Sequence, residues 1–109
     1  MILIIGGKSQ GKKAFAAKEF PGYRVVEQYQ ETVRKQMLDG LDPMQEAEKL
    51  FLQGDEQLLI ITDEIGCGIV PMDPWERAYR ETDGRVNGYL AEHAESVYRV
   101  LAGIAMKIK

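Results

Sequence analysis

Met1-Ile2-Leu3-Ile4-Ile5 runs into Gly6-Gly7-Lys8-Ser9-Gln10-Gly11-Lys12, and the fold turns on how this stretch is read. Five consecutive apolar residues rich in isoleucine and stopped by two glycines form the pattern of a strand buried on both faces. Such strands belong to parallel sheets with helices on either side, so the run predicts a central strand. Gly6 to Lys12 fits G-x-x-x-x-G-K directly after that strand and directly before a helical segment, the setting that the phosphate-loop pattern requires. Glycines let backbone N–H groups converge on phosphate oxygens, a helix N-terminus adds partial positive charge, and Lys12 can reach the β- and γ-phosphates. Gly6, Gly7, Lys8, Ser9, Gln10, Gly11, Lys12 and Lys13 are thus candidate nucleotide contacts, with Lys12 also a candidate catalytic group. The competing reading is a glycine-rich turn between strand and helix.

The rest of the chain alternates in the same way. Lys12 to Phe20 reads as a short helix stopped by Pro21-Gly22, and Tyr23 to Val26 as a strand. Gln28 to Leu38 is an amphipathic helix with Val33, Met37 and Leu38 on one side, ended by Gly40. Asp42-Pro43 supplies a cap and a first-turn proline to a third helix carrying Met44, Ala47, Leu50 and Phe51. Gln57 to Thr62 is a second fully apolar strand. Asp73-Pro74 repeats the cap-plus-proline signal and opens a long helix to about His93, with Trp75, Ala78, Tyr79, Val86, Leu90 and Ala94 as apolar positions and Gly84 and Gly88 as weak points. Ser96 to Ala102 is the last buried strand, and Ile104 to Lys109 alternates as an edge strand does. The expected class is α/β, phosphate-loop NTPase-like: a mainly parallel sheet with helices on both faces and a C-terminal edge strand.

With 109 residues, 45% hydrophobic and 28% charged, the chain fits one domain spanning residues 1–109. Its formal net charge of −3 provides no global field for nucleic acid or an anionic membrane, so any basic site is local. One cysteine excludes an intramolecular disulfide framework and favours a reducing, cytoplasmic setting. No run approaches the roughly 20 apolar residues that span a bilayer. Neither nucleic acid nor membrane is expected as a partner.

A second constellation, Thr62-Asp63-Glu64-Ile65-Gly66-Cys67-Gly68-Ile69-Val70-Pro71, follows a buried strand, where open α/β sheets place their ligands. Asp63 and Glu64 can hold Mg2+ through water, or orient a hydroxyl nucleophile, which makes Glu64 a candidate catalytic residue. A polar strand end with a capping loop is the plainer alternative. Position 13 departs from the phosphate-loop pattern: Lys13 stands where a Ser or Thr hydroxyl would ligate Mg2+, and a cation cannot be a metal ligand. Cys67, without a visible base, reads as a packing residue.

The apolar strand and loop, Ile61 to Pro71, Gly84-Arg85-Val86-Asn87 and the ending Ala102-Gly103-Ile104-Ala105-Met106-Lys107-Ile108-Lys109 together resemble the bifunctional adenosylcobinamide kinase/adenosylcobinamide-phosphate guanylyltransferase family of cobalamin biosynthesis. The resemblance covers residues 1 to about 20 and about 58 to 109. It implies an enzyme that uses GTP or ATP with Mg2+ to phosphorylate a corrinoid and then transfers GMP through a guanylylated histidine. It also implies three departures. The block that presents that histidine, between the loop helix and the Asp63 strand, is largely missing, and His93 does not match its position. Lys13 replaces the family's Ser. Asp63 stands where the family usually has Asn. By the same resemblance Glu27 corresponds to another acidic strand end that helps organise metal, so Glu27 and Glu64 would flank the loop from neighbouring strands. Arg85 becomes a candidate phosphate contact, unless it closes a salt bridge with Asp83 or Glu81. The expectation is a shortened GTP- or ATP-binding kinase-like protein without guanylyl transfer, open to homo-oligomer formation, with a non-catalytic regulatory or scaffold paralogue as the alternative.

Overall fold

The computed structural model describes residues 1–65 and 71–109. The described residues form a five-stranded sheet with four helices. Strand β1 (Ile2–Gly6) is followed by α1 (Lys12–Glu19), β2 (Arg24–Val26), α2 (Tyr29–Leu38), α3 (Pro43–Leu52), β3 (Leu58–Asp63), α4 (Pro74–His93), β4 (Ser96–Leu101) and β5 (Ile104–Lys107). The strand order is β2-β3-β1-β4-β5, with β5 antiparallel at one edge and the other four strands parallel. β1 is central, as its unbroken apolar run requires. Ile2 pairs with Leu59 on one side and Ser96 on the other.

Alternation along the strands divides the core into two layers. Ile2, Ile4, Leu59, Ile61 and Val100 meet Ala16 of α1, with Phe15, Phe20, Tyr23 and Tyr98 packed around them. Leu3, Leu58, Ile60 and Val97 meet Tyr29 and Val33 of α2, Ala47 of α3, and Tyr79, Val86 and Leu90 of α4. Helices therefore cover both faces, one on the first and three on the second.

Both cap-plus-proline signals form as expected. Asp42 accepts the N–H of Met44 at 3.0 Å ahead of Pro43, and Asp73 accepts that of Trp75 at 2.8 Å ahead of Pro74. α4 runs unbroken through Gly84 and Gly88 because Val86 and Leu90 are fully buried beside them and packing outweighs propensity. Three expectations change. Gly6 is itself the last residue of β1, paired with Asp63, so the strand ends one residue later than the apolar run. Leu38 is exposed at the end of α2. β4 alternates buried and open positions, with Val97 and Val100 facing the two core layers and Arg99 and Leu101 open. Among the described residues no helix is long and apolar enough to cross a membrane.

Candidate functional site

Two close approaches hold the segment after β1 in place. Gly6 is buried, and a Cβ there would collide with the carbonyl oxygen of Val100 on β4, so this glycine serves strand packing. Gly11, at φ 93°, takes the left-handed conformation that ends the loop and starts α1, and its α-carbon side lies against Gly103. The turn between β4 and β5 grips the loop from outside: the N–H of Gly103 donates to the carbonyl of Gln10 at 2.9 Å, and that of Ala102 to Gln10 Oε1 at 2.6 Å.

No side chain caps the N-terminus of α1, and its first turn contains no acidic residue. Its first two residues are lysines, at the end where the helix dipole already carries partial positive charge. Lys12 is buried; its Nζ donates to the carbonyl of Gly7 at 2.5 Å and pairs with Asp63 Oδ1 at 2.8 Å. Lys13 is 79% exposed and reaches Glu27 Oε1 at 3.3 Å. A recess of about 270 Å3 opens here, lined by Lys8, Ser9, Lys12 and Lys13 from the loop side and by Glu27, Gln28, Ile61 and Asp63 from the strand exits. The loop, Glu27 and Asp63 are therefore brought together. Another hollow, of about 190 Å3, lies at the opposite end of the strands against Met1, Phe51 and Leu58, with no Lys or Arg in its lining.

Glu64 does not join this group. Its N–H donates to the carbonyl of Gly6, and its carboxylate receives Nε and a terminal nitrogen of Arg99 at 3.0 and 3.1 Å. Successive residues of an extended chain face opposite sides, so Asp63 and Glu64 diverge. Glu27 and Glu64 do leave neighbouring strands, but only Glu27 lines the recess. All three carboxylates expected at a metal are thus ion-paired, Glu27 to Lys13, Asp63 to Lys12 and Glu64 to Arg99. Among the described residues no group of three or more His, Cys, Asp or Glu side chains is placed to hold a metal ion. The arrangement does not fit the Mg2+ expected from the sequence.

Arg85 also lies elsewhere, paired with Glu81 at 2.8 Å one turn back along α4. The segment from Gly66 to Val70, with Cys67, is outside the described residues.

Two residues matter in roles that the sequence did not show. Gln30, buried in the first turn of α2, donates to Asp63 Oδ2 at 3.2 Å and accepts the N–H of Asp63 at 3.0 Å, while its own carbonyl accepts the hydroxyl of Tyr79 at 2.8 Å. Gln30 thereby orients the carboxylate that holds Lys12. Asp83 is fully buried between Tyr79 and Val86; Asn87 donates to one of its oxygens at 3.2 Å and the other has no partner. Burial, aided by the charge of Asp63 and opposed by the Asn87 hydrogen bond, pushes its carboxyl up to about 6. Helical spacing from Tyr79 and Val86 was the available signal for Asp83. Gln30 had none.

Comparison with known sequences now decides kinship. The sequence model described as cobinamide kinase / cobinamide phosphate guanyltransferase matches residues 27–108. The chain belongs to that family. Two relatives, each named bifunctional adenosylcobalamin biosynthesis protein CobU, come from Salmonella typhimurium and Escherichia coli; each is 43% identical over 53 residues. Each match covers 49% of this chain and only 29% of the relative's length. The match to the cobinamide kinase family takes in α2 and α3, which the resemblance read from sequence left out, and Glu27 with them. It begins after the loop, so the case for the loop rests on its own geometry.

Proposed function

We propose that this chain is a nucleotide-binding member of the cobinamide kinase family, holding the phosphates of GTP or ATP between the 6–12 loop and the strand exits at Glu27 and Asp63. The observation that carries this reading is a buried Lys12 at an uncapped, lysine-led helix N-terminus opening on a phosphate-sized recess. Lys12 would exchange the Gly7 carbonyl for phosphate oxygen, with Asp63 and Gln30 keeping its ammonium at the floor of the recess. Kinship with proteins named for adenosylcobalamin biosynthesis supports a corrinoid as acceptor if phosphoryl transfer occurs.

Guanylyl transfer is not part of the proposal, because the one histidine, His93, is packed against Tyr89 and Phe51 at 4.3 and 5.5 Å between ring centres, next to the opening of β4. A second reading, a non-catalytic regulatory paralogue, is favoured by the ion pairing of all three candidate metal ligands. Isothermal titration of the chain with GTP and with ATP tests nucleotide binding, and Lys12→Ala is expected to weaken it by about tenfold or more. Absence of saturable binding of either nucleotide at millimolar concentration would sink the proposal. Transfer of labelled γ-phosphate to adenosylcobinamide separates the kinase from the paralogue.

A further inference from the structure

We infer that the recess takes its polyphosphate as the bare anion, without a divalent cation, and that Lys13 supplies the charge a metal would have brought. The inference rests on the nucleotide-binding reading and narrows it to a metal-free nucleoside di- or triphosphate.

The chemistry of the donors points this way. A divalent ion entering the recess would have to strip an ammonium group from each carboxylate it used, Lys13 from Glu27 and Lys12 from Asp63, and would then stand beside both cations. A phosphate asks for the opposite exchange, in which Lys13 trades its carboxylate oxygen for phosphate oxygens while Lys12 keeps Asp63 and gives up only the Gly7 carbonyl. That exchange is easy for Lys13. Its pair with Glu27 is solvent-exposed on both sides and therefore weak, and its side chain can swing across the recess without unpacking anything. The two lysines are also held against the helix dipole with no acid in the first turn of α1, an arrangement that an incoming anion relieves. With Lys8, three lysines face two carboxylates in the recess, so its local charge is positive on a chain whose net charge is −3. Glu64, the remaining carboxylate expected at a metal, is bound to Arg99 and does not line the recess.

The test is titration of the full chain with GTP and ATP in excess EDTA and, separately, in excess Mg2+. Wild type is expected to bind more tightly in EDTA, by about tenfold or more, because excess Mg2+ sequesters the nucleotide as a metal complex that the recess excludes. Lys13→Ser is expected to lose about tenfold in EDTA and to recover part of it in Mg2+, because the variant exchanges a built-in cation for a hydroxyl ligand. Glu27→Gln is expected to bind more tightly than wild type in EDTA, since Lys13 is released. Wild-type binding that needs Mg2+, or that excess Mg2+ leaves undiminished, would overturn the inference and leave the nucleotide reading standing. No binding in either medium would overturn both.

Discussion

Asp83 is the residue whose chemistry and surroundings disagree most. Its carboxyl sits among Tyr29, Tyr79 and Asn87 in the layer between α2 and α4, with Asp63 as the nearby charge, and one oxygen lacks a partner. Its ordinary value of 3.8 rises to about 6 in the folded chain. Between those values the folded protein retains a proton that the unfolded chain has released, so stability falls as pH rises through the window and the full penalty applies above it. A shift of this size corresponds to about 2–3 kcal/mol. Asp83→Asn, which keeps an acceptor for Asn87 and removes the charge, is expected to be more stable than wild type by that order at about pH 7.5 and nearly equal to it at about pH 4. Urea unfolding at the two pH values checks this, and a gain independent of pH would show that charge is not the cause. The periodicity of α4 placed position 83 on the buried face, but a carboxylate does not count as apolar in such a pattern, so the residue was legible in place and not in role. Lys13 was the reverse: its chemistry was legible at once, while its partner Glu27, on another strand exit, needed the fold.

The element that governs the loop is the turn between β4 and β5. Gln10 is held by two backbone N–H groups of that turn, and Gly11 lies against Gly103, so the loop conformation depends on both ends of the chain. Gln10→Ala removes the side-chain acceptor for Ala102 and leaves the backbone bond to Gly103 intact. The expected result is faster amide exchange at Ala102 and a loss of about 0.5–1.5 kcal/mol in nucleotide binding, with global stability nearly unchanged. Unchanged exchange and binding would show that the grip on Gln10 is incidental. Most elements could be read from the chain because their signals are local: an apolar run, a cap with proline, a glycine after a periodic segment. This contact could not, since it joins residues 92 positions apart and leaves no trace in periodicity. The divergence of Asp63 from Glu64 was available from strand alternation, but only once β3 was known to extend through Asp63.

At the scale of the molecule, the loop and His93 lie at opposite ends of the parallel strands. The loop follows Gly6, where β1 ends, whereas His93 comes just before Ser96, which pairs with Ile2 where β1 begins. An imidazole must lie in line with the α-phosphate to accept GMP, and the length of β1 separates the two. Incubation with α-labelled GTP and Mg2+ is expected to leave no acid-labile, base-stable label on the protein; a stoichiometric label lost in His93→Asn would contradict both the proposed site and the chemistry. The central position of β1 has a kinetic corollary. Its two partners are β3 and β4, so the strand that anchors the loop cannot be seated until nearly the whole chain has come together. Such distant pairing raises contact order, and folding is slow when loop closure must precede reward. The loop is therefore expected to be the last part of the molecule to gain its shape during refolding, and any partly assembled chain would be blind to nucleotide while already holding its α2 and α3 helices.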